Sequence, residues 1–171
     1  MRELVDAERV RRFMRDLGRD ASEETVCYFT GGATAVLIGW RGTTIDVDIR
    51  FEPEHESLLR VLPGLKETLR MNVELASPAD FIPVPAGWED RSPFVAREGR
   101  VTFRHFDPYA QALAKLERGH DRDLADVRAL VDGGLVERGR LRELFDEIRP
   151  ELYRFPAVDE RSFARAVESV A

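Results

Sequence analysis

Apolar residues recur at helical spacing near the start of the chain, at Leu4, Val5, Val10, Phe13, Met14 and Leu17. This spacing predicts an amphipathic helix that ends at Gly18. The next apolar run, Thr25–Phe29, is rich in β-branched and aromatic residues and predicts a buried strand. Thr30-Gly31-Gly32 ends that strand, and residues 33–38 then predict a short apolar helix.

Residues 43–51 alternate between polar and apolar side chains, which is typical of a strand with two different faces. Residues 54–70 are amphipathic, but Pro63-Gly64 interrupts them, so we predict two short helices there. Val73-Glu74-Leu75 predicts a further brief strand. Helices and strands therefore alternate through the first half of the chain.

The second half predicts a hairpin followed by helices. The hairpin strands are 94–96 and 101–106, joined around Glu98-Gly99, and Asp107-Pro108 then caps and opens a helix that ends at Gly119. Three more helices are predicted: one capped by Asp121 and ended by Gly133-Gly134, one near 138–148, and one near 159–170. The expected fold class is α/β (α+β), a small mixed sheet flanked by helices. We place an α/β core at 1–106 and a helical C-terminal part, packed on that core, at 107–171.

Composition narrows the function classes. The 171 residues carry a formal net charge of −6, which argues against a protein that mainly coats nucleic acid. The single cysteine, Cys27, excludes a disulfide framework and every multi-cysteine metal site, and in its apolar strand it is expected to be a small buried hydrophobe. The three histidines lack zinc-ligand spacing. With no membrane-length apolar run and an acidic first segment instead of a secretory signal, we expect a cytoplasmic protein that does not bind membranes.

Lysine is scarce in this chain. Only Lys66 and Lys115 among the 26 cationic residues are lysine, the others being arginine. An ammonium and a guanidinium are not interchangeable, so a lysine that persists in such a background indicates a position that needs lysine.

Two short motifs carry the candidate chemistry. Gly31-Gly32 follows the first strand, and Asp46-Val47-Asp48 follows after the thirteen residues 33–45. Side chains two positions apart on a strand share a face at ~6.5–7 Å, and two carboxylates so placed repel each other unless a cation lies between them. Such a face can serve a pair of Mg²⁺ or Mn²⁺ ions, while a glycine turn lets backbone N–H groups approach a phosphate. Together the motifs predict a metal-bound nucleoside triphosphate.

Each motif alone has a structural alternative, a plain turn for Gly-Gly and a solvated strand edge for Asp-x-Asp. Arg41 and Thr43, just before the strand, are candidates for phosphate contacts, with capping and strand-edge roles as the alternative. Trp40 and Trp88 could stack a base or pack in the core.

The segments Phe29–Ala33 and Arg41–Asp48 resemble the signature of the nucleotidyltransferase (polymerase β) superfamily. The chain is most similar to its small stand-alone bacterial members, including the abortive-infection toxin nucleotidyltransferases, in which a lysine and an Asp-bearing helical motif follow the catalytic domain. Lys115–Asp126 offers that second motif, and the resemblance covers about residues 25–132.

The resemblance implies roles for further residues. It implies a third carboxylate on a later strand, for which Glu74 is our candidate and Asp80 the competitor, and this acid would complete the metal site of Asp46 and Asp48 or accept the acceptor's proton. It also implies that Lys115, with Arg118, contacts the triphosphate. Asp123 and Asp126 either orient these two cations or are ordinary exposed acids, and His120 is either a base or a solvated turn residue.

The implied activity is transfer of a nucleotide from a nucleoside triphosphate to a hydroxyl acceptor, which could be a tRNA end, a protein or a small molecule. A toxin-type enzyme with an antitoxin-like protein partner is one version of this expectation. Two rivals stay open: a non-catalytic nucleotidyltransferase-like module that binds a nucleotide or a partner, and a metal-dependent nuclease. The nuclease lacks the Glu-x-Lys it would be expected to carry, because Leu75-Ala76 follows Glu74.

Overall fold

A computed structural model gives the structure of the protein and describes residues 3–170. Its strands are β1 (Thr25–Thr30), β2 (Asp46–Glu52), β3 (Asn72–Leu75), β4 (Phe94–Glu98) and β5 (Val101–His105). Its α-helices are α1 (Ala7–Asp20), α2 (Gly32–Ile38), α3 (Glu56–Leu69), α4 (Pro108–Arg118), α5 (Asp121–Asp132), α6 (Arg138–Ile148) and α7 (Glu160–Val170). Short 3-10 helices span Pro78–Asp80 and Arg149–Arg154. The predicted order of helices, strands and hairpin is confirmed, and so is the mixed α/β class.

The chain forms two compact units. The first contains the chain up to Ser77 together with Pro93–His105, and the second contains Pro78–Ser92 and the chain from Phe106 onward. The sequence placed residues 78–92 with the amino-terminal core, but in the structure they belong to the helical unit. Their contacts explain this, because the ring of Trp88 stacks on Phe106 at 4.4 Å and Arg91 pairs with the buried carboxylate of Asp107 at 2.8 Å.

The sheet of the first unit has the order β3-β2-β1-β5-β4. Strand β1 lies antiparallel to β2 and parallel to β5, β2 lies parallel to β3, and β4 and β5 form the predicted hairpin. This register sets Thr30 of β1 opposite Asp48 of β2. The sequence therefore brings the end of the first strand, where the glycines lie, to the acidic strand.

The core of the first unit lies on one face of this sheet. Helices α1 and α3 supply one side of it, and the inward-facing residues of the strands supply the other. Phe29 and Phe103 stack at 5.6 Å between ring centroids, and Phe13 meets Phe29 edge-on at 6.5 Å. Cys27 is fully buried in this core, and burial raises the pKa of its thiol, so the expectation of a small buried hydrophobe is confirmed.

Helix α3 corrects the prediction of two short helices. It is continuous, with Pro63 inside it, and Leu58, Leu62, Leu65 and Leu69 are buried along one face. A proline inside a helix costs about 3 kcal/mol, whereas each buried leucine contributes about 1.5–3 kcal/mol, so the burial of four leucines outweighs the interruption.

Helix α1 passes through Gly18, which was predicted to end it. A Cβ atom at Gly18 would lie 2.5 Å from Cβ and 2.7 Å from the carbonyl carbon of Glu98, and Gly99, at φ +57°, faces Gly18 in turn. Gly18 is therefore a contact point between the helix and the hairpin turn rather than a helix stop.

We expect Gly18→Ala to lower the free energy of unfolding by about 1–3 kcal/mol, because a methyl group there displaces the hairpin backbone. The usual effect of this substitution inside a helix has the opposite sign, a gain of about 0.5–1 kcal/mol. Gly64→Ala in α3 is the matched control, since nothing lies within 4 Å of its Cβ position. Urea unfolding of both variants checks this, and equal stabilisation by both would contradict the packing of Gly18.

The second unit is helical. Asp107 caps α4 by accepting from the Tyr109 amide at 3.0 Å, Pro108 is its first residue, and Gly119 ends it in the left-handed conformation, all as predicted. The cap of α5 is His120 rather than Asp121, because the side chain of Asp123 accepts from the His120 backbone amide at 3.2 Å. No helix in the described part of the chain is long and apolar enough to cross a membrane.

Candidate functional site

Strand β2 holds the two aspartates of the predicted site. Its side chains alternate between half-buried and buried, so Val47 and Ile49 enter the core while Asp46 and Asp48 share the opposite face. The strand begins at Asp46, three residues later than the alternating pattern predicted. The shared face of the two carboxylates is what the sequence motif required.

The turn after β1 brings Gly31 to the carboxylate of Asp48. Gly31 has φ 61° and ψ −128°, a backbone conformation that side-chain-bearing residues rarely adopt. A Cβ atom there would lie 3.4 Å from Oδ2 of Asp48. Backbone conformation and close approach therefore both favour glycine at this position, and the structure brings the glycine turn and one carboxylate together.

Gly32 owes its small size to a different neighbour. A Cβ atom on Gly32 would lie 2.7 Å from Cβ of Thr44, whose hydroxyl donates to the Asp46 carbonyl at 3.0 Å. The backbone of Thr44 also pairs with Val5 in an isolated bridge. Thr44 thus fixes the start of β2 against the glycine turn, a contact that sequence reasoning missed. A phosphate contact through Gly32 stays a prediction.

Strand β3 adds a second pair of polar side chains beside the first. Its register sets Asn72 opposite Asp46 and Glu74 opposite Asp48, so all four lie on one face of the sheet. Nδ2 of Asn72 donates to Oδ1 of Asp46 at 2.6 Å and to Oε1 of Glu74 at 2.8 Å. Asn72 was not among the predicted site residues, although it is the only asparagine of the chain and stands two positions before Glu74.

The competitor for the third carboxylate has a different setting. Asp80 ends the 3-10 helix Pro78–Asp80, in the second unit, whereas Glu74 stands on the strand next to Asp48. The position of Glu74 beside Asp48 supports it as the third acid, while the choice over Asp80 and the chemical role of Glu74 stay predictions.

The donor set of β2 suits a divalent cation, because carboxylate oxygens are the ligands that Mg²⁺ and Mn²⁺ prefer. Within residues 3–170, no three histidine, cysteine, aspartate or glutamate side chains converge on a point that could hold a metal. The amide group of Asn72 lies between Asp46 and Glu74 instead. The carboxylate oxygens of Asp46 and Asp48 are suitable ligands for such a metal, and Asn72 bridges Asp46 to Glu74.

A buried polar pair anchors α2 in the first unit. The Thr34 hydroxyl lies 3.0 Å from Nδ1 of His105 and 3.3 Å from the Phe29 carbonyl, to which it donates. Burial lowers the pKa of His105 to about 4 from its ordinary 6.5. The ring is therefore neutral at neutral pH, and it ties the helix after the glycine turn to β5.

Because the unfolded chain protonates His105 near pH 6.5 and the folded protein does so only near pH 4, the unfolded state binds more protons between these values. We expect the free energy of unfolding to be independent of His105 protonation above pH 6.5 and to fall by up to about 3 kcal/mol through this residue as the pH drops to 4. Urea unfolding at pH 7 and pH 4.5 measures this. A His105→Gln variant with the same pH dependence as the natural chain would contradict the assignment.

The predicted cation cluster lies in the second unit. Lys115 is 8% exposed, and its ammonium donates to Oδ2 of Asp126 at 2.8 Å and lies 3.9 Å from Asp123, whose carboxylate also accepts from Nε of Arg118 at 2.8 Å. Asp123 and Asp126 are 1% and 2% exposed. Ordinary exposure is therefore wrong for these acids, because both are buried and pair with the two cations. A role of this pairing at a phosphate site stays a prediction.

Neighbouring positive charges hold the buried carboxylate of Asp123 in its ionised form. Burial raises the pKa of Asp123, but the hydrogen bond and charge of Arg118, with the charge of Lys115, outweigh burial and lower it overall. Neutralisation by buried acids is a sufficient structural reason for lysine at position 115. Contact of Lys115 or Arg118 with a triphosphate stays a prediction.

Thr43 is exposed ahead of β2, and Arg41 and Trp40 are half-buried beside it, so their roles toward phosphate or base stay predictions. Of the two interpretations of Trp88, its stacking on Phe106 supports packing. His120 caps α5, which supports the turn role.

The mixed sheet with its flanking helices, the glycine turn and the acidic strand are consistent with a nucleotidyltransferase-type domain. A family model described as "Nucleotidyltransferase of unknown function (DUF6036)" matches residues 8–164, and the chain belongs to this family. No curated protein matches the chain, and no solved structure matches it.

Proposed function

We propose that the protein is a metal-dependent nucleotidyltransferase that moves a nucleoside monophosphate from a nucleoside triphosphate to a hydroxyl acceptor. The observation that carries this proposal is the close approach of Gly31 to Asp48. A Cβ atom at Gly31 would lie 3.4 Å from Oδ2 of Asp48, on the face of β2 that Asp46 shares. Membership of the nucleotidyltransferase family supports it independently.

Asp46 and Asp48 would hold Mg²⁺ or Mn²⁺, which would supply charge neutralisation for the phosphate oxygens. The chain's own residues do the rest. Gly31 carries no side chain, which leaves space for the triphosphate beside the carboxylate of Asp48. Glu74, on the neighbouring strand, accepts the proton of the acceptor hydroxyl. Asn72 orients Glu74 and Asp46 through its two hydrogen bonds.

The proposed step balances as a single displacement. The acceptor oxygen forms a bond to the α-phosphorus, and the bond from that phosphorus to the bridging oxygen of the β-phosphate breaks. The electron pair leaves with pyrophosphate, and the hydroxyl proton passes to a Glu74 carboxylate oxygen. The products are the nucleotidylated acceptor and pyrophosphate.

Transfer of label tests the proposal directly. The protein is incubated with each α-labelled nucleoside triphosphate, Mg²⁺ or Mn²⁺, and in turn bulk tRNA, protein extract or small alcohols. We expect label on one acceptor class with the natural chain and none with Asp46→Ala. Metal-dependent nucleotide binding without transfer to any acceptor would instead favour the non-catalytic module, and degradation of tRNA without added nucleotide would favour a nuclease.

The resemblance to abortive-infection toxin enzymes extends this proposal to a toxin-type role with an antitoxin-like protein partner. Induced expression of the natural chain should then arrest bacterial growth, and Asp46→Ala, expressed at the same level, should not. Equal growth of the two cultures would contradict the toxin role while leaving the transferase proposal standing.

A further inference from the structure

A groove of about 750 Å³ runs beside β3 in the first unit. One wall consists of four residues from one side of α3: Leu59, Leu62, Pro63 and Lys66. The other wall is β3 itself, from Val73 to Leu75. Strand and helix thus form an open groove that borders Glu74, one of the proposed site residues.

The outer edge of β3 carries backbone N–H and C=O groups that pair with no other strand of residues 3–170. Among the described residues β3 has one neighbouring strand, β2, so it ends the sheet. The amide of Ala76 donates inward to the Ile49 carbonyl at 3.1 Å, and successive residues of a strand direct their backbone groups to opposite sides. Val73 and Leu75 therefore direct their N–H and C=O groups outward, along the groove, at a spacing of ~6.5–7 Å.

The groove is apolar but ends in a positive charge. Leu59 is 36% exposed and Leu75 48% exposed, although both are large hydrophobic residues. Lys66 is half-buried and forms no ion pair with any carboxylate in the part of the chain that the structure describes. It is one of the two lysines of the chain, and unlike Lys115 it has no internal acid that explains it.

We propose that this groove binds an extended polypeptide segment, which adds as a strand to β3 and places a serine, threonine or tyrosine hydroxyl opposite Glu74. The placement of a hydroxyl opposite Glu74 rests on the proposed function and makes the acceptor a protein hydroxyl. The outward N–H and C=O groups of Val73 and Leu75 pair with the segment's backbone. An acidic residue near one end of the segment pairs with Lys66.

The alternation of strand side chains sets the sequence pattern of the segment. The residue opposite Glu74 points to the same face as Asp46 and Asp48, with its Cβ atom ~4.5–5.5 Å from that of Glu74. Its two neighbours point to the other face, toward Leu59 and Leu62 of α3. The recognised pattern is therefore apolar, hydroxyl, apolar.

A polypeptide fits this groove better than a nucleic acid does. The strand edge presents alternating donors and acceptors at the spacing of another strand, which a phosphate backbone does not match. Lys66 is the single cation among the groove residues, and the negative charge of Glu74 in the same groove offsets it. Nucleic acid binding normally requires several cations along the path of the backbone.

A panel of seven-residue synthetic peptides tests binding without nucleotide or metal. Apolar residues alternate with serine, threonine or tyrosine, one end carries glutamate, and a second set is N-methylated on the edge facing the protein. We expect saturable binding of the first set by fluorescence polarisation, and about tenfold weaker binding of the methylated set. Failure of every unmethylated peptide to bind, or equal binding of both sets, would overturn strand addition.

Leu75→Pro is the decisive variant, because it removes an outward N–H and leaves the inward bonds of β3 to β2 in place. Leu75→Val keeps that N–H and is the matched control. We expect about tenfold weaker peptide binding for proline and near-natural binding for valine, with circular dichroism confirming that both fold. Equal binding by the two variants contradicts the backbone pairing.

Transfer separates this inference from the proposed function. Peptides that bind should accept label from an α-labelled nucleoside triphosphate, and their alanine versions should bind without accepting it. Peptide binding with no transfer to any acceptor would contradict the transferase and keep the groove. Transfer to tRNA or small alcohols, with no peptide bound, would keep the transferase and overturn the groove.

Discussion

Replacing Asp48 by asparagine should lower nucleotidyl transfer by at least ~10²-fold, since the variant removes a charged oxygen ligand while almost keeping the shape of the side chain. Asp48 faces Gly31 at the turn after β1 and shares its side of β2 with Asp46. The measurement is the rate of label transfer from an α-labelled nucleoside triphosphate at saturating Mg²⁺.

Glu52→Gln is the matched control, because Glu52 lies on the same strand and face but pairs with Arg50. We expect its transfer rate to stay within twofold of the natural chain, since removal of a half-exposed ion pair away from Gly31 changes little. Equal losses in Asp48→Asn and Glu52→Gln would show that general charge on β2 matters rather than the position of Asp48. An unchanged rate in Asp48→Asn would contradict the site.

Replacing Lys115 by methionine should lower the free energy of unfolding by about 3–5 kcal/mol. The substitution leaves the buried carboxylates of Asp126 and Asp123 without the ammonium that lies 2.8 Å and 3.9 Å from them. Lys66→Met is the matched control, and its effect should stay within about 0.5 kcal/mol because Lys66 has no described ion pair. Urea unfolding measures both changes.

A compensating variant separates ion pairing from packing. Lys115→Met combined with Asp126→Leu should recover much of the loss, because an apolar pair of similar volume replaces the buried ion pair. A double variant as unstable as the sum of the two single variants would contradict the pairing.

Local pattern was sufficient for most helices and strands. Alternation in β2 identified both its strand character and the shared face of Asp46 and Asp48, because period-two burial is a property of the strand itself. Pattern failed where distant packing decided the outcome. Pro63 lies inside α3 because the leucine face of that helix is buried in the core. Gly18 lies inside α1 because the hairpin turn packs directly against it, and only glycine leaves room for that contact.

The candidate site was also predicted only in part, because local sequence pattern identifies some of its residues and distant contacts determine the others. The glycine turn and the aspartates lie close in sequence, and the structure joins them. Asn72 and Thr44 were missed because their contacts depend on strand register and on a bridge to Val5, which one sequence does not encode locally. The grouping of residues 78–92 with the helical unit was missed likewise, since it follows from Trp88 and Arg91 meeting Phe106 and Asp107.

Calorimetric titration of the protein with α,β-methylene ATP tests the central claim most directly, since this analogue cannot release pyrophosphate and binding is seen without transfer. The titration is run with Mn²⁺, with EDTA, and with the Asp48→Asn variant, and it is repeated with the corresponding guanosine, cytidine and uridine analogues. We predict saturable binding of at least one analogue that requires Mn²⁺ and is lost in Asp48→Asn. Binding unchanged by EDTA or by the substitution, or no binding of any analogue, would contradict a metal-bound triphosphate at the face shared by Asp46 and Asp48.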